Sequence, residues 1–407
     1  MATPSPTPRQ APPLSDQVEF GPGISVSPWL ARSTLLRHAV FAIVGAVALG
    51  VISVSLGAYR DFQMATVAAN VVAVAGLTVL IGLSGQISIG NGAFMAVGGY
   101  VAALLFIHLH WPLELIIVAA TVAAALVGAV FGIAAARLRG PYLAGATLML
   151  AVALPFFATR FSGVLGGDQG LGFFITVPGF LGVNFSLSRW QAWLSCGCGL
   201  IALLLLANLV RSRVGRSWRA VRDDEVAAAL AGINVARMQI LAFIVSAACA
   251  GLGGVLLAIV VGTVSPGLFT LSLSIQLLTA AVLGGLGSLA GAIWGGALLV
   301  LAPTYLQDVV VSHGFASQTT SSSIPIVAYG VVLIVVMLIF PRGIQGGLSR
   351  LVGPIIRRGD DAPAAPTPGD DPRAVLTRGD DPPRSPRERT SWRRRSPAAD
   401  RKEKGRR

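Results

Sequence analysis

The chain has 407 residues, 54% of them hydrophobic and only 12% charged, with a formal net charge of +13. A soluble globular domain carries about 25% charged residues, so this composition excludes one. The only lysines are Lys402 and Lys404; a phosphate-binding P-loop needs a lysine after its glycines, so the chain has no P-loop of its own and any ATP hydrolysis is expected to come from a partner.

Residues 1–34 are rich in Pro, Ser and Thr and read as a disordered arm. No apolar stretch follows closely on Met1, as a secretory signal would require. Residues 35–348 read as an all-α, polytopic transmembrane helix bundle. Its about ten apolar segments approach the roughly 20 residues needed to cross a bilayer. They lie near residues 38–58, 64–83, 91–109, 113–136, 142–158, 190–210, 239–262, 271–286, 289–308 and 324–340. Two breaks carry no charge, Gly-Leu-Ser-Gly-Gln at 82–86 and Gly-Gly-Leu-Gly-Ser at 284–288. Each is either a tight turn or irregular backbone at membrane depth, tolerated where protein covers it or it lines a cavity. Unpaired polar groups are costly in lipid, so Ser84, Gln86, Ser88, Asn91, Gln276 and Ser288 are expected toward the bundle interior, as candidate pathway residues.

Between Leu35 and Phe340 the only carboxylates are Asp61, Glu114, Asp168, Asp223, Asp224, Glu225 and Asp308, each in a loop or at a span end on this map. Arginine sets the orientation. One set of connections holds Arg32, Arg37, Arg137, Arg139, the six arginines from Arg211 to Arg237, and Arg342; the alternate set holds Arg60, Arg160 and Arg189. The arginine-rich side is expected to be the cytoplasm, with both termini on it. Cys196, Cys198 and Cys249 lie in apolar runs and read as small buried side chains. In the polar, basic tail 349–407, Gly-Asp-Asp recurs at Gly359, Gly369 and Gly379. The tail is expected to be disordered. The tail is either simply solvated or, through its arginine clusters, in contact with anionic lipid; no nucleic-acid partner is expected.

The longest basic connection, residues 211–239, reads RSRVGRSWRAVRDDEVAAALAGINVARMQ. Propensity favours one helix over 217–231, with acids near its middle and Gly232 as its stop. Ala227, Ala228 and Ala229 make one side small, suited to inserting into a groove on a partner, whereas so small an apolar side would anchor weakly in lipid.

The run RAVRDDEVAAALAGIN resembles the cytoplasmic coupling segment of permeases of the branched-chain amino acid ABC importer family. In order along the chain, GLSGQISIGNGAFMAVGGYVAALL, GGDQGL, SIQLLTAAVLGGLGSLAGAIWGGALL and PRGIQGGL resemble other parts of that family. The likeness covers about residues 71–348, outside the arm and tail. One departure is Asn91, where many relatives carry His. The resemblance implies a bacterial inner-membrane permease subunit rather than an enzyme. Its partners would be ABC ATPase subunits that use the ATP, a second homologous permease subunit and an extracytoplasmic solute-binding protein; the chain itself would hold no cofactor. It further implies that Arg219, Arg222, Asp223, Asp224, Glu225, Ala228, Gly232 and Asn234 belong to the ATPase-coupling segment. The solute would be leucine, isoleucine or valine, or, as in close relatives, urea or a short amide. A secondary transporter is the alternative class. Proton-coupled carriers place acids or histidines within the membrane, and none is found mid-span here; ion coupling through backbone carbonyls at broken helices stays open.

Overall fold

The computed structural model describes residues 57–138, 140–178 and 186–312, together with 330, 334, 335, 338 and 343–347. The arm 1–34, the tail 349–407 and almost all of the expected first and last spans lie outside the described residues.

Eight described helices are long and apolar enough to cross a membrane. In chain order the principal helices are α1 (Ala58–Ser84), α2 (Asn91–Leu104), α3 (Leu113–Ala135), α4 (Pro141–Arg160), α5 (Leu187–Arg211), the short α6 (Arg213–Asp223) and α7 (Glu225–Leu230), α8 (Val235–Val261), α9 (Leu271–Gly284) and α10 (Leu289–Ser312). A π turn, Leu105–Leu109, continues α2. All eight expected segments within the described residues are helical, most of them beginning or ending a few residues from the expected bounds.

Helices α1 and α8 form the centre. Both are apolar on every side, the signature of a buried helix, and most of their residues are buried. Helix α8 packs on α1, α2 and α3 through glycine: a Cβ at Gly98 would meet the Gly251 backbone, and one at Gly254 the Met95 backbone. Close backbone approach supplies packing energy in lipid, where the hydrophobic effect between helices is absent. Helix α3 has two distinct faces. Ile116, Ala120, Ala124 and Gly128 are buried, while Leu115, Val118, Val122, Leu126, Val130 and Ile133 are exposed and wholly aliphatic.

At the end away from the arginine-rich connections, Leu171–Gly172 and Thr263–Val264 pair antiparallel, with Leu171 opposite Val264. The Phe173 N–H donates to the Gly262 carbonyl at 2.8 Å, and Phe106 meets the Phe173 ring edge-on at 5.0 Å. The Arg189 guanidinium lies 3.9 Å from the buried Asp61 carboxylate, joining the starts of α5 and α1. Asp61 thus sits in the first turn of a span.

The two uncharged breaks differ in kind. Gly285 and Gly287 make a tight turn between α9 and α10. Residues 85–90 instead run without helix back into the bundle. Asn91, at the head of α2, donates to the carbonyl of Ala73, which lies about 16 Å up α1 from its end at about 1.5 Å rise per residue.

Candidate functional site

The 211–239 connection is built on one buried tryptophan. Gly215, Trp218 and Val221 fall at helical spacing on the inner face of α6, and Trp218 is fully buried. Its indole N–H donates to the Met238 carbonyl at 2.9 Å, pinning α6 to the start of α8. Arg219 turns back on its own chain, donating to Gly215 O at 3.2 Å and Val210 O at 3.0 Å. It thereby satisfies a carbonyl in the last turn of α5, where a cation also complements the helix dipole.

The single helix expected over 217–231 is broken at Asp224. Asp224 is extended (φ −157°), and its carboxylate accepts from the N–H groups of Val226 at 2.8 Å and Ala227 at 3.0 Å. An aspartate gains more by capping orphan donors than by continuing a helix, so α6 stops and α7 restarts. Helix α7 then ends on Gly232 at φ +83°, a left-handed conformation suited to glycine. Asn234 caps α8 by accepting from the Arg237 N–H at 3.0 Å. Of the alanines, Ala227 and Ala229 are exposed but Ala228 is buried. The outward surface of α7 is carried by Val226 (70% exposed) and Leu230 (86%), one helical turn apart. Their apolar i, i+4 spacing was the available sequence signal; the alanine run masks it.

The acids and arginines of this connection are exposed, and several of them also reach partners within the chain. Arg222 donates through Nη1 to the Gly82 carbonyl at 2.6 Å and through Nη2 to the Asp223 carboxylate at 2.9 Å. Gly85 lies against its side-chain stem. Glu225 accepts from the Gln239 side chain at 3.1 Å; the Gln239 carbonyl accepts from Gln86 at 3.3 Å, and Gln86 also donates to Ser84 Oγ at 2.6 Å. Two bridges therefore join α6–α7 to the first break. That break touches the second, because a Cβ on Gly82 would collide with the Gly287 backbone.

Deeper in the bundle, the irregular backbone at 85–90 is covered by hydroxyl groups. The Ile89 N–H donates to Thr147 Oγ1 at 3.0 Å, the Gly90 N–H to Ser88 Oγ at 3.4 Å and the Gly92 N–H to Ser274 Oγ at 3.1 Å. Asn91 donates to Ala73 O at 3.1 Å and accepts from Ser246 Oγ at 3.4 Å. Ser84, Gln86, Ser88 and Asn91 are thus all interior, where they cross-link helices. Gln276 and Ser288 are only partly buried: Ser288 accepts from the Gly291 N–H at 3.3 Å at the start of α10, and Gln276 lies on the open side of α9, donating to Ser272 Oγ at 3.2 Å. Among the described residues no group of three or more His, Cys, Asp or Glu could hold a metal ion.

Residues 60–341 match the family model described as "Branched-chain amino acid transport system / permease component". The chain is 34% identical to the high-affinity branched-chain amino acid transport system permease protein LivM of Salmonella typhimurium, over 57% of this chain and 60% of LivM. It is 31% identical to BraD of Pseudomonas aeruginosa, over 67% of this chain and 89% of BraD, and 29% identical to LivH of Salmonella typhimurium over the same shares; both carry the same permease description. The chain thus spans less than two thirds of LivM. No solved structure matches.

Proposed function

Because this chain belongs to the family of branched-chain amino acid transport system permease components, we propose that it is the membrane-spanning subunit of an ATP-driven importer carrying leucine, isoleucine, valine or a related small solute across the bacterial inner membrane. The family is a transport component, not an enzyme, and the chain is a multi-pass membrane protein. ATPase subunits bind the arginine-rich side, which is the cytoplasmic side and holds both termini, and they alone use ATP. A second homologous permease subunit completes the pathway; in support, the same chain is similar to both LivM and LivH. A solute-binding protein delivers cargo at the opposite end, where the GGDQGL segment presents Asp168 and Gln169 to solvent.

The observation that carries this reading is the pair of bridges from α6–α7 to the first break. Val226 and Leu230 are exposed apolar residues with nothing among the described residues to cover them, and they dock into the ATPase. Asp224 is the joint that lets α7 take its own direction. Arg222 pulls on the Gly82 carbonyl, and Glu225 pulls through Gln239 on Gln86. The Gly82–Gly287 contact carries the displacement to the second break. ATP drives the change to the extent that it binds one arrangement more tightly than the other.

The test is Val226→Asp and Leu230→Asp in the co-expressed complex. A carboxylate desolvated in an apolar groove is costly, so the variants are expected to insert normally, lose ATPase co-purification and lose ATP-dependent uptake. Retained co-purification with normal uptake would refute the docking assignment.

A further inference from the structure

Exposed faces of the described spans are mostly aliphatic or aromatic, as on α3, apart from Arg60, Gln63 and Thr66 near the start of α1; helix α9 carries polar groups along its open side. Its buried side is Ser274, Leu277, Ala281 and Gly284; its open side runs Ser272, Ile275, Gln276 and Thr279. Thr279 Oγ1 donates to the Ile275 carbonyl at 2.8 Å, so that hydroxyl is satisfied within its own helix. Gln276 is not in that position. Its amide offers two donors and a carbonyl acceptor, and the hydrogen bond to Ser272 Oγ uses one donor. Gln276 stands about 12 Å up α9 from Gly284 at about 1.5 Å per residue, within the hydrocarbon zone. An amide facing lipid there would be costly, because hydrocarbon offers its free donor and acceptor no partner.

We propose that the Ser272–Gln276–Thr279 stripe is the wall of the solute pathway in this subunit, with Gln276 the residue that contacts the solute. The buried polar residues of the first break then serve only to brace the helices. The chemistry of the wall selects a small solute with no net charge. No Asp, Glu, Lys or Arg occurs between Arg237 and Asp308, so α9 itself offers no counter-charge. A neutral amide and hydroxyls can hydrogen-bond an ammonium or carboxylate, while Ile275 flanks an apolar side chain. This assignment rests on the permease reading, and the experiment separates the two.

In the assembled complex, with Cys196, Cys198 and Cys249 replaced by Ala, cysteine is placed at Gln276 or Thr279, and at Leu126 or Leu205 as controls on the aliphatic faces of α3 and α5. A charged, membrane-impermeant methanethiosulfonate reacts with thiolate, which forms in water and not in lipid, so Q276C and T279C are expected to react about tenfold or more faster than the controls. A saturating neutral amino acid should slow that reaction. In the native-cysteine background, Gln276→Leu is expected to cut uptake about tenfold with assembly and ATP turnover retained, the loss of about 1.4 kcal/mol of binding. Labelling of Q276C no faster than of L126C, or normal uptake by Gln276→Leu, overturns the assignment. Fast, solute-protected labelling in a protein whose uptake ignores ATP supports the pathway wall and sinks only the ATP-driven reading.

Discussion

Arg222→Ala separates docking from transmission. The guanidinium makes a 2.6 Å charge-assisted hydrogen bond to the Gly82 carbonyl, and its side chain is 41% exposed. Bonds to charged groups contribute about 1.5–3 kcal/mol when dry; at this exposure water replaces part of the loss, so a value just below that range, about 1.4 kcal/mol, applies, a factor of about ten in the bridged-to-unbridged ratio. Val226 and Leu230 are untouched, so the variant should still co-purify with its ATPase and hydrolyse ATP. In proteoliposomes, solute moved per ATP should fall about five- to tenfold. Arg222→Lys should recover part of the loss, since an ammonium can reach one carbonyl but not also hold the Asp223 carboxylate in a fork. An Arg222→Ala complex with wild-type uptake per ATP would show that the bridge transmits nothing.

Three further outcomes follow from the packing. Gly82→Val drives a side chain into the Gly287 backbone and should abolish uptake or expression, whereas Gly145→Val, at a position with open space around it, should be tolerated in a parallel expression and uptake screen. Asn91→Leu removes links to Ala73 and Ser246 and should destabilise the bundle by about 1–3 kcal/mol, read as earlier thermal aggregation in detergent; an unchanged profile would mean the cluster braces nothing. Trp218→Phe keeps the buried ring but leaves the Met238 carbonyl without its donor; a loss of about 1 kcal/mol should appear as faster proteolysis near Arg219 and Arg222.

The spans were legible because long uncharged runs have few other solutions in lipid. Gly232 was legible as a helix stop, and the interior placement of Ser84, Gln86, Ser88 and Asn91 followed from the cost of unpaired polar groups. Four features were not. Propensity summed over 217–231 favours one helix, and only the local competition at Asp224 splits it. Periodicity cannot tell which of three consecutive alanines points inward; the turn at Asp224 fixes Ala228 as the buried one. Nor could it show that Arg222 reaches back to a carbonyl far away in sequence, because that contact depends on how α6 lies against α1. The distinction between Gln276 and the other polar candidates likewise arises from packing: the same residue types brace helices where three elements meet and face outward where only α9 passes.

The non-helical stretch at 85–90 constrains how the chain is made. A helix enters the bilayer with its backbone bonds already closed, but this stretch borrows partners from Thr147, and the head of α2 borrows from Ser246 and Ser274. All of these lie downstream, so the ribosome has not yet delivered them when the stretch leaves the exit tunnel. Backbone amides left bare in hydrocarbon are unfavourable. The first break must therefore wait at the membrane surface or in the insertion machinery until α4, α8 and α9 arrive. Biogenesis of this half of the bundle is a late closing step rather than a span-by-span deposition, and nascent chains truncated before Ser274 would hold α2 in a different environment from the finished protein.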